Sequence, residues 1–577
     1  MMTNDQVVKI FEETAILLEV KGENAFKCRA YSSAARTISM LDRDLHQMVE
    51  ADQLSQVKGL GQALREKVSI MVREGHLPFY DKLRASLPTG IMDIIKIPGV
   101  GPKKVAALYQ ELGIGDVAAL EAACQEGQLA KLTGFGKKTQ EKILEGIRQI
   151  RSYANQHRYA DVIERGRNLV ENLQMHPAVA RISLAGSLRR AKEVVKDVDI
   201  IASSKNPQVL MQAFVGLPEV EKIINQGQTK SSVLLEGGLQ CDLRVVQDEQ
   251  FPFALHHFTG SKEHNIVMRQ RAIARGMKLS EWGLFIKKEK EHVEDELVPC
   301  MTEEALFKEL DLAFIPPELR EDRGEFEAAE SGAIPRLLQW TELRGTFHNH
   351  TKASDGANTL HEMAEAAASV GLEYLGISDH SKSSVQANGL DEARLLQQVK
   401  NIQTWNKTND DIHLFSGVEC DILKDGSLDY EDDILSQLDY VVASVHQSMT
   451  LSEDDMTKRI IRALENPYVT ILGHLTGRLL LRREAYALNI PKIIDAAAQT
   501  GTWIELNASP KRLDMDWRWW KLARDKGVKC VINPDAHQVA QLGNIRIGAE
   551  VARKGWLRKE DVVNTLKLSE IKDHLKV

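Results

Sequence analysis

From residue 341 onward the chain repeats one rhythm, in which short apolar runs ending in a polar residue, at 374–380, 438–448, 468–477, 502–509 and 529–537, are separated by segments of helical periodicity. Alternation of this kind specifies parallel strands joined by crossover helices. It predicts an α/β barrel, distorted TIM-like, with its reactive residues gathered at strand C-termini. The first 150 residues differ: short amphipathic helices broken by glycine, with almost no β-branched runs, predict an all-α region. From about Arg181 strand-like segments appear at 182–188, 197–203, 231–237 and 239–246, so an α+β module stands between the two.

A chain of 577 residues exceeds a single core, so several domains are expected. The Pro-Pro pair and dense charge beginning at Pro316 mark 318–340 as a linker. No window holds the roughly 18 uninterrupted apolar residues a spanning helix needs, so no membrane partner is expected. Cys28, Cys124, Cys241, Cys300, Cys420 and Cys530 form no CxxC pair, which excludes a zinc ribbon and points to the reducing cytoplasm. The formal charge of -8 does not exclude a nucleic-acid partner, because the acidic excess lies in the second half and metal-binding carboxylates are neutralised by their ions.

An apolar-Gly-apolar-Gly pattern occurs three times: Val57-Lys58-Gly59-Leu60-Gly61, Ile97-Pro98-Gly99-Val100-Gly101 and Leu132-Thr133-Gly134-Phe135-Gly136. Lys103-Lys104 and Lys137-Lys138 follow the second and third copies. Glycines so spaced permit a tight turn between helices whose exposed amides can approach a DNA phosphate, with the lysines adding charge. The pattern resembles the helix-hairpin-helix motif, a sequence-independent backbone binder.

Asp197 and Asp199 stand two apart on a predicted strand and so share a face, and Asp242 lies on another strand. Three such carboxylates can hold two magnesium ions about 4 Å apart, the arrangement for in-line phosphoryl transfer. Gly186 and Ser187 would set amides and a hydroxyl against the phosphates, and Arg190 a fixed positive charge. These runs, with 257–272, resemble the palm and nucleotide pocket of family X DNA polymerases, the DNA polymerase beta-like family, over about residues 5–317. The resemblance implies a nucleotidyltransferase that extends gapped or primer-template DNA with deoxynucleoside triphosphates. It places Asp197, Asp199 and Asp242 on the metals, and Ser187 and Arg190 on the triphosphate. It further sets Phe258 and Gly260 along the sugar, Asn265 at the base edge and Arg269 on the template side. His257-Phe258 stands where the vertebrate pattern has Tyr-Phe. Lys67 falls at the family's Schiff-base lysine and implies a lyase step, while Ala63 replaces a neighbouring lysine of that pattern.

The last region holds His348-Asn349-His350, Asp355, Asp379-His380, Glu419, His446, His474 and Asp535-Ala536-His537, several of them at predicted strand ends. Leaving Asp379 aside, these are nine mixed nitrogen and oxygen ligands, too many for one transition metal. A cluster of two or three manganese, zinc or iron ions is the economical reading, and it suits phosphoester hydrolysis. The set resembles the PHP (polymerase and histidinol phosphatase) domain over about 341–577 with every ligand position filled. In bacterial family X polymerases this domain implies 3′-5′ exonuclease and abasic-site cleavage. The resemblance divides the chain into a lyase-like helical domain (1–80), helix-hairpin-helix fingers (81–150), a nucleotidyltransferase palm (151–248), a thumb (249–317), the linker (318–340) and the PHP domain (341–577). Base excision repair by a cytoplasmic monomer is the expected setting. The rival readings are a small-molecule phosphatase fused to a DNA-binding module and a non-catalytic repair scaffold.

Overall fold

The computed structural model describes residues 2–39, 41, 43–57, 59–288 and 295–575. Two compact units meet in sequence at Ala154 and Asn155.

Among its described residues the first unit is helical throughout, around a core that includes Phe11, Leu17, Tyr31, Ile38, Leu108 and Ile147. The three glycine motifs form the same turn. Leu60, Val100 and Phe135 donate their backbone N–H to Val57, Ile97 and Leu132, three residues back, at 3.3, 3.0 and 3.1 Å. Gly59, Gly99 and Gly134 take the third position at φ +88°, +80° and +85°, where a type II turn calls for glycine. The flanking apolar residues of each copy are buried, which anchors the turn while its glycines stay exposed. Lys58 lies outside the described residues.

The second unit begins with the palm, a five-stranded mixed sheet of β1 (Arg181–Leu184), β2 (Asp197–Ser203), β3 (Val220–Gln226), β4 (Lys230–Leu235) and β5 (Leu239–Val246) in the order β1-β2-β5-β4-β3. β2 and β5 run parallel, and their register sets Asp199 opposite Asp242. The helices Phe251–Thr259 and Lys262–Ala274, a three-stranded antiparallel sheet and the helix Glu303–Glu309 follow as the thumb.

Residues 318–340, expected as a linker, are packed instead. Leu319, Arg320, Glu325, Phe326, Leu337 and Leu338 are buried, and the charges that suggested a solvated run are paired with distant residues. Arg320 binds Glu303, Glu325 accepts from the His264 ring at 3.0 Å, and Leu338 N–H donates to the Leu557 carbonyl.

The barrel comprises seven parallel strands in sequence order: β6 (Gly345–Thr346), β7 (Tyr374–Ile377), β8 (His413–Asp421), β9 (Tyr440–Ser444), β10 (Ile471–Leu472), β11 (Trp503–Asn507) and β12 (Cys530–Asn533). The ring is nearly closed, because the Asn533 side-chain oxygen accepts from Phe347 N and Thr346 Oγ1, and Asn349 bridges to Ala536. Aromatic rings fill the interior and demand glycine opposite them: a Cβ on Gly417 would stand 2.3 Å from Tyr440 Cζ. One contiguous apolar core runs from palm residues such as Val198 and Leu243 to barrel residues such as Ile504 and Ile532.

Two stability outcomes follow. Gly417→Ala overpacks the barrel and costs about 1–3 kcal/mol, while Gly543→Ala, with open space at its Cβ, changes nothing. All eight tryptophans lie beyond residue 281, in the second unit, so their emission during urea unfolding reads this directly; equal midpoints for the two variants would refute it. Burial opposes ionisation of Glu303, but Arg320 and Arg189 outweigh it and pull the carboxyl down from 4.5 to about 2. A depressed carboxyl contributes its stability above the unfolded value and loses it as pH falls from about 4.5 towards 2. Glu303→Gln strands Arg320 and costs about 3–5 kcal/mol at neutral pH. The same tryptophan emission, followed in acid titrations, should show a smaller stability loss between those pH values than in the parent.

Candidate functional site

In the palm, β2 presents Asp197 and Asp199 on one face and β5 brings Asp242 beside them. Burial first, then Asp197 and Asp242, raises the Asp199 carboxyl to about 7; burial and Asp242 raise that of Asp197. Burial would raise Asp242 as well, but hydrogen bonds from Lys230, at 2.9 Å, and from Gln240 and Ser232 bring it down. Lys230 thus hydrogen-bonds Asp242, while Lys196, Lys230 and Arg244 only partly offset the burial and carboxylate repulsion that raise Asp197 and Asp199, and a divalent cation would relieve both. Gly186, at φ +61°, stands directly over this group, where a Cβ would lie 2.1 Å from Asp199 Oδ2.

The pocket residues are brought together, with two surprises. Arg190 is tethered: its Nε donates to Glu321 at 3.0 Å and its Nη1 to the Thr259 carbonyl. Asn265 is buried, its amide nitrogen donating to the His257 carbonyl at 2.7 Å and its side-chain oxygen without a hydrogen bond among the described residues. Arg269 Nε donates to the Asn265 carbonyl at 3.2 Å. Gly260 ends the helix that carries Phe258 and lies against Arg190. Sequence reasoning missed Arg244, whose guanidinium stacks 4.2 Å from the Phe258 ring centre. It stands two residues after Asp242, so strand periodicity could have found it.

In the first unit Gly61, Gly101 and Gly136 immediately precede the helices Gln62–Glu74, Pro102–Leu112 and Lys137–Tyr153, and no side chain caps any of the three. Their first-turn amides are open to an anion, with Lys103, Lys137 and Lys138 exposed beside them. Lys104 folds back onto the Gly99 carbonyl at 2.8 Å. Lys67 is half-buried, its ammonium 3.3 Å from the Ala63 carbonyl and 5.7 Å from the Phe79 ring centre.

In the barrel all nine expected ligands converge. Six of the seven strands deliver them: His348, His350 and, further along the same loop, Asp355 follow β6, His380 follows β7, Glu419 is in β8, His446 follows β9, His474 follows β10, and Asp535 and His537 follow β12. Glu419 is the hub, with His380 and His474 at 2.9 Å, His446 at 3.2 Å, His348 at 3.3 Å and His350 at 3.7 Å. Three groups form within it: His350, Asp355, His380 and His537; His348, His350 and Asp535; His380, Glu419 and His446. His348 Nε2, His350 Nε2 and His380 Nδ1 are buried and make no hydrogen bond among the described residues, although carboxylate oxygens lie 2.9 to 3.7 Å away. Imidazole nitrogens and carboxylate oxygens gathered this closely are a donor set that fits divalent cations, whose binding would displace the ring protons.

Burial would neutralise Glu419, yet His348, His446 and His380 hold its carboxyl well below the usual range. Burial lowers the His350 ring to about 4, helped by His537 and His380, so that imidazole stays neutral and free to ligate. Two carboxylates went unread in the sequence. Glu505 on β11 binds His348 Nδ1 at 2.7 Å, and Asp421 at the end of β8 binds His446 Nδ1, so each fixes a ring and aims its other nitrogen inward. Asp379 is spent on the loop at Thr351 and Ser354 rather than on the cluster.

Family models match residues 2–77 (helix-hairpin-helix domain), 91–149 (SAM-like helix-hairpin-helix tandem), 254–321 (DNA polymerase beta thumb) and 346–509 (PHP domain). A probable phosphatase of Thermoanaerobacter sp. (strain X514) is 30% identical over 40% of this chain and 93% of its own. A solved Leishmania infantum polymerase beta, in a ternary P/T complex, aligns at 23% identity over 40% of this chain and 99% of that one; its TM-score of 0.27 is too low to carry an argument. The DNA polymerase/3′-5′ exonuclease PolX of Bacillus subtilis (strain 168) is 38% identical over 578 residues, all of both chains. With that identity sustained from end to end, the chain belongs to the bacterial family X DNA polymerases that carry a C-terminal PHP domain.

Proposed function

We propose that the two centres divide the work of a DNA polymerase and a 3′-5′ exonuclease in gap-filling base excision repair. The observation that carries this reading is that both centres hold ligand atoms the protein leaves uncompensated: Asp197 and Asp199 in the palm, and the hydrogen-bond-free imidazole nitrogens in the barrel.

Asp197, Asp199 and Asp242 would hold two magnesium ions, whose chemistry is to favour the primer 3′-alkoxide and to neutralise the triphosphate. The chain does the positioning. Gly186 and Ser187 offer their backbone and hydroxyl to the phosphates, and Arg190, held at Nε and Nη1, directs its remaining amino group to them. Phe258 and Gly260 line the sugar, Asn265 turns to the base edge and Arg269 to the template side. The primer 3′-oxygen bonds to the α-phosphorus, and pyrophosphate leaves with the broken bond's electrons. The exposed glycines and lysines of the first unit bind the DNA backbone, and Lys67 supplies a lyase amine.

The barrel ligands would hold two or three manganese, zinc or iron ions, which supply hydroxide and polarise a phosphoester. Glu505 and Asp421 orient the rings, and the buried walls exclude bulk water. A water oxygen adds to phosphorus at the 3′-terminal or abasic-site phosphodiester, and the sugar oxygen leaves. Six buried, unpaired cysteines and the lack, among the described residues, of a helix able to cross a membrane accord with a cytoplasmic protein, here taken as a monomer.

Asp199→Ala is expected to lower single-nucleotide gap filling by at least about a thousandfold while 3′ resection of an overhang persists, and His348→Ala to do the converse. Loss of both activities in either folded variant would refute the division. Faster turnover of a phosphate monoester than of DNA would favour the phosphatase reading instead. Glu505→Gln should weaken metal binding in the barrel by about 10- to 100-fold, read by metal analysis after dialysis against a chelator, with gap filling retained. Unaltered metal retention would show that Glu505 does not orient His348.

A further inference from the structure

Lys554 ends the barrel helix Ile545–Lys554 and is completely buried. Its ammonium donates to the Glu321 carboxylate at 2.7 Å, the Arg190 carbonyl at 3.0 Å and the Glu318 carbonyl at 3.3 Å. All three acceptors lie before residue 322, on the polymerase side of the chain, so a buried cation rooted in the barrel spends its donors there. The Glu321 oxygen that accepts from Lys554 is the same atom, Oε1, that accepts from Arg190 Nε at 3.0 Å.

The charge arithmetic gives this sharing a purpose. Glu321 facing Arg190 alone would form a close guanidinium–carboxylate pair in a poorly screened site and cancel the charge a triphosphate needs. With Lys554 on the same oxygen, two cations share one anion and the trio keeps a net positive charge. The geometry agrees. Arg190 is gripped at Nε by Glu321 and at Nη1 by the Thr259 carbonyl, its own carbonyl is held by Lys554, and Gly260, an expected sugar neighbour, lies against Nη1. The lysine ammonium lies 4.4 Å from the centre of the buried Trp517 ring, which fixes its approach from the barrel.

We propose that Lys554 is a positioning residue for nucleotide addition: acting through Glu321, it holds the Arg190 guanidinium towards the incoming triphosphate and keeps its charge from being cancelled. The proposal rests on Arg190 being a triphosphate contact. A lysine that only joined the two domains would affect stability and both activities alike.

The test uses the full-length protein, with gap filling measured against deoxynucleoside triphosphate concentration and 3′ resection measured on the same preparations. Lys554→Met is expected to raise KM for the triphosphate about tenfold, with kcat within about twofold and resection unchanged. Lys554→Gln, which keeps an N–H donor for the two carbonyls but no charge, should do the same and serves if the methionine variant does not fold. Adding Glu321→Gln to Lys554→Met removes the carboxylate that would otherwise cancel the Arg190 charge and should return KM to within about threefold of the parent. An unchanged KM in both Lys554 variants, a parallel fall in gap filling and resection, or failure of the double variant to recover would each overturn the proposal. Arg190→Ala separates the two levels: if it leaves KM unchanged, the assignment of Arg190 is at fault, and if it raises KM while the Lys554 variants do not, only the role of Lys554 falls.

Discussion

Buried ligating groups crowded together without a lysine or arginine to pair each of them are the constraint on which both centres depend. Several carboxylates of the second unit are balanced from within: Glu303 lies between Arg189 and Arg320, Glu321 between Arg190 and Lys554, and Glu550 meets Arg167 and the Tyr159 hydroxyl. In the palm, by contrast, Lys230 serves Asp242 and leaves Asp197 and Asp199 facing each other. In the barrel, the imidazoles around Glu419 keep nitrogens that form no hydrogen bond. Desolvated charge of one sign is costly unless an ion completes the balance. The fold thus sorts its carboxylates into those that hold it together and those that wait on a cation.

The ligand sets were legible in the sequence because strand geometry obeys a short rule. Side chains two apart share a face, which pairs Asp197 with Asp199 and His348 with His350, and parallel strands deliver their ends to one rim. The hairpins were legible because three copies of one turn need glycine at one position. Partners supplied from far along the chain were not. Residues 318–340 read as solvated because Arg320 and Glu325 find Glu303 and His264 only once the thumb has folded. Glu505 within β11 and Asp421 at the end of β8 look like true ligands, and only the structure shows that they hold the rings rather than point into the cluster. The tether on Arg190 comes from Glu321, more than a hundred residues away, and Asn265 turns its amide to a carbonyl of the preceding helix.

The palm and barrel behave as one body in their packing as well as in their charges. A single apolar core spans them, and polar links reinforce it: the Tyr159 hydroxyl to Glu550 at 2.7 Å, Arg478 to Glu193 at 3.5 Å, and the Lys554 trio. The loop that carries Glu193 also leads from Arg190 to Asp197, so the barrel braces the segment between the expected phosphate contact and the first metal carboxylate. Precision at a phosphoryl-transfer centre comes from such support, since small displacements of its groups are expensive in rate.

The packed course of 318–340 bears on modularity. A polymerase and a nuclease joined by a loose tether could be separated, exchanged or reordered like beads, each half folding as before. Here the stretch is part of the fold itself: Phe326, Leu337 and Leu338 are buried, Arg320 pairs with Glu303, and Glu325 is hydrogen-bonded to the His264 ring. The two halves lean on a common interior, so taking the barrel away would lay bare the palm side chains that pack against it and leave Glu321 without Lys554.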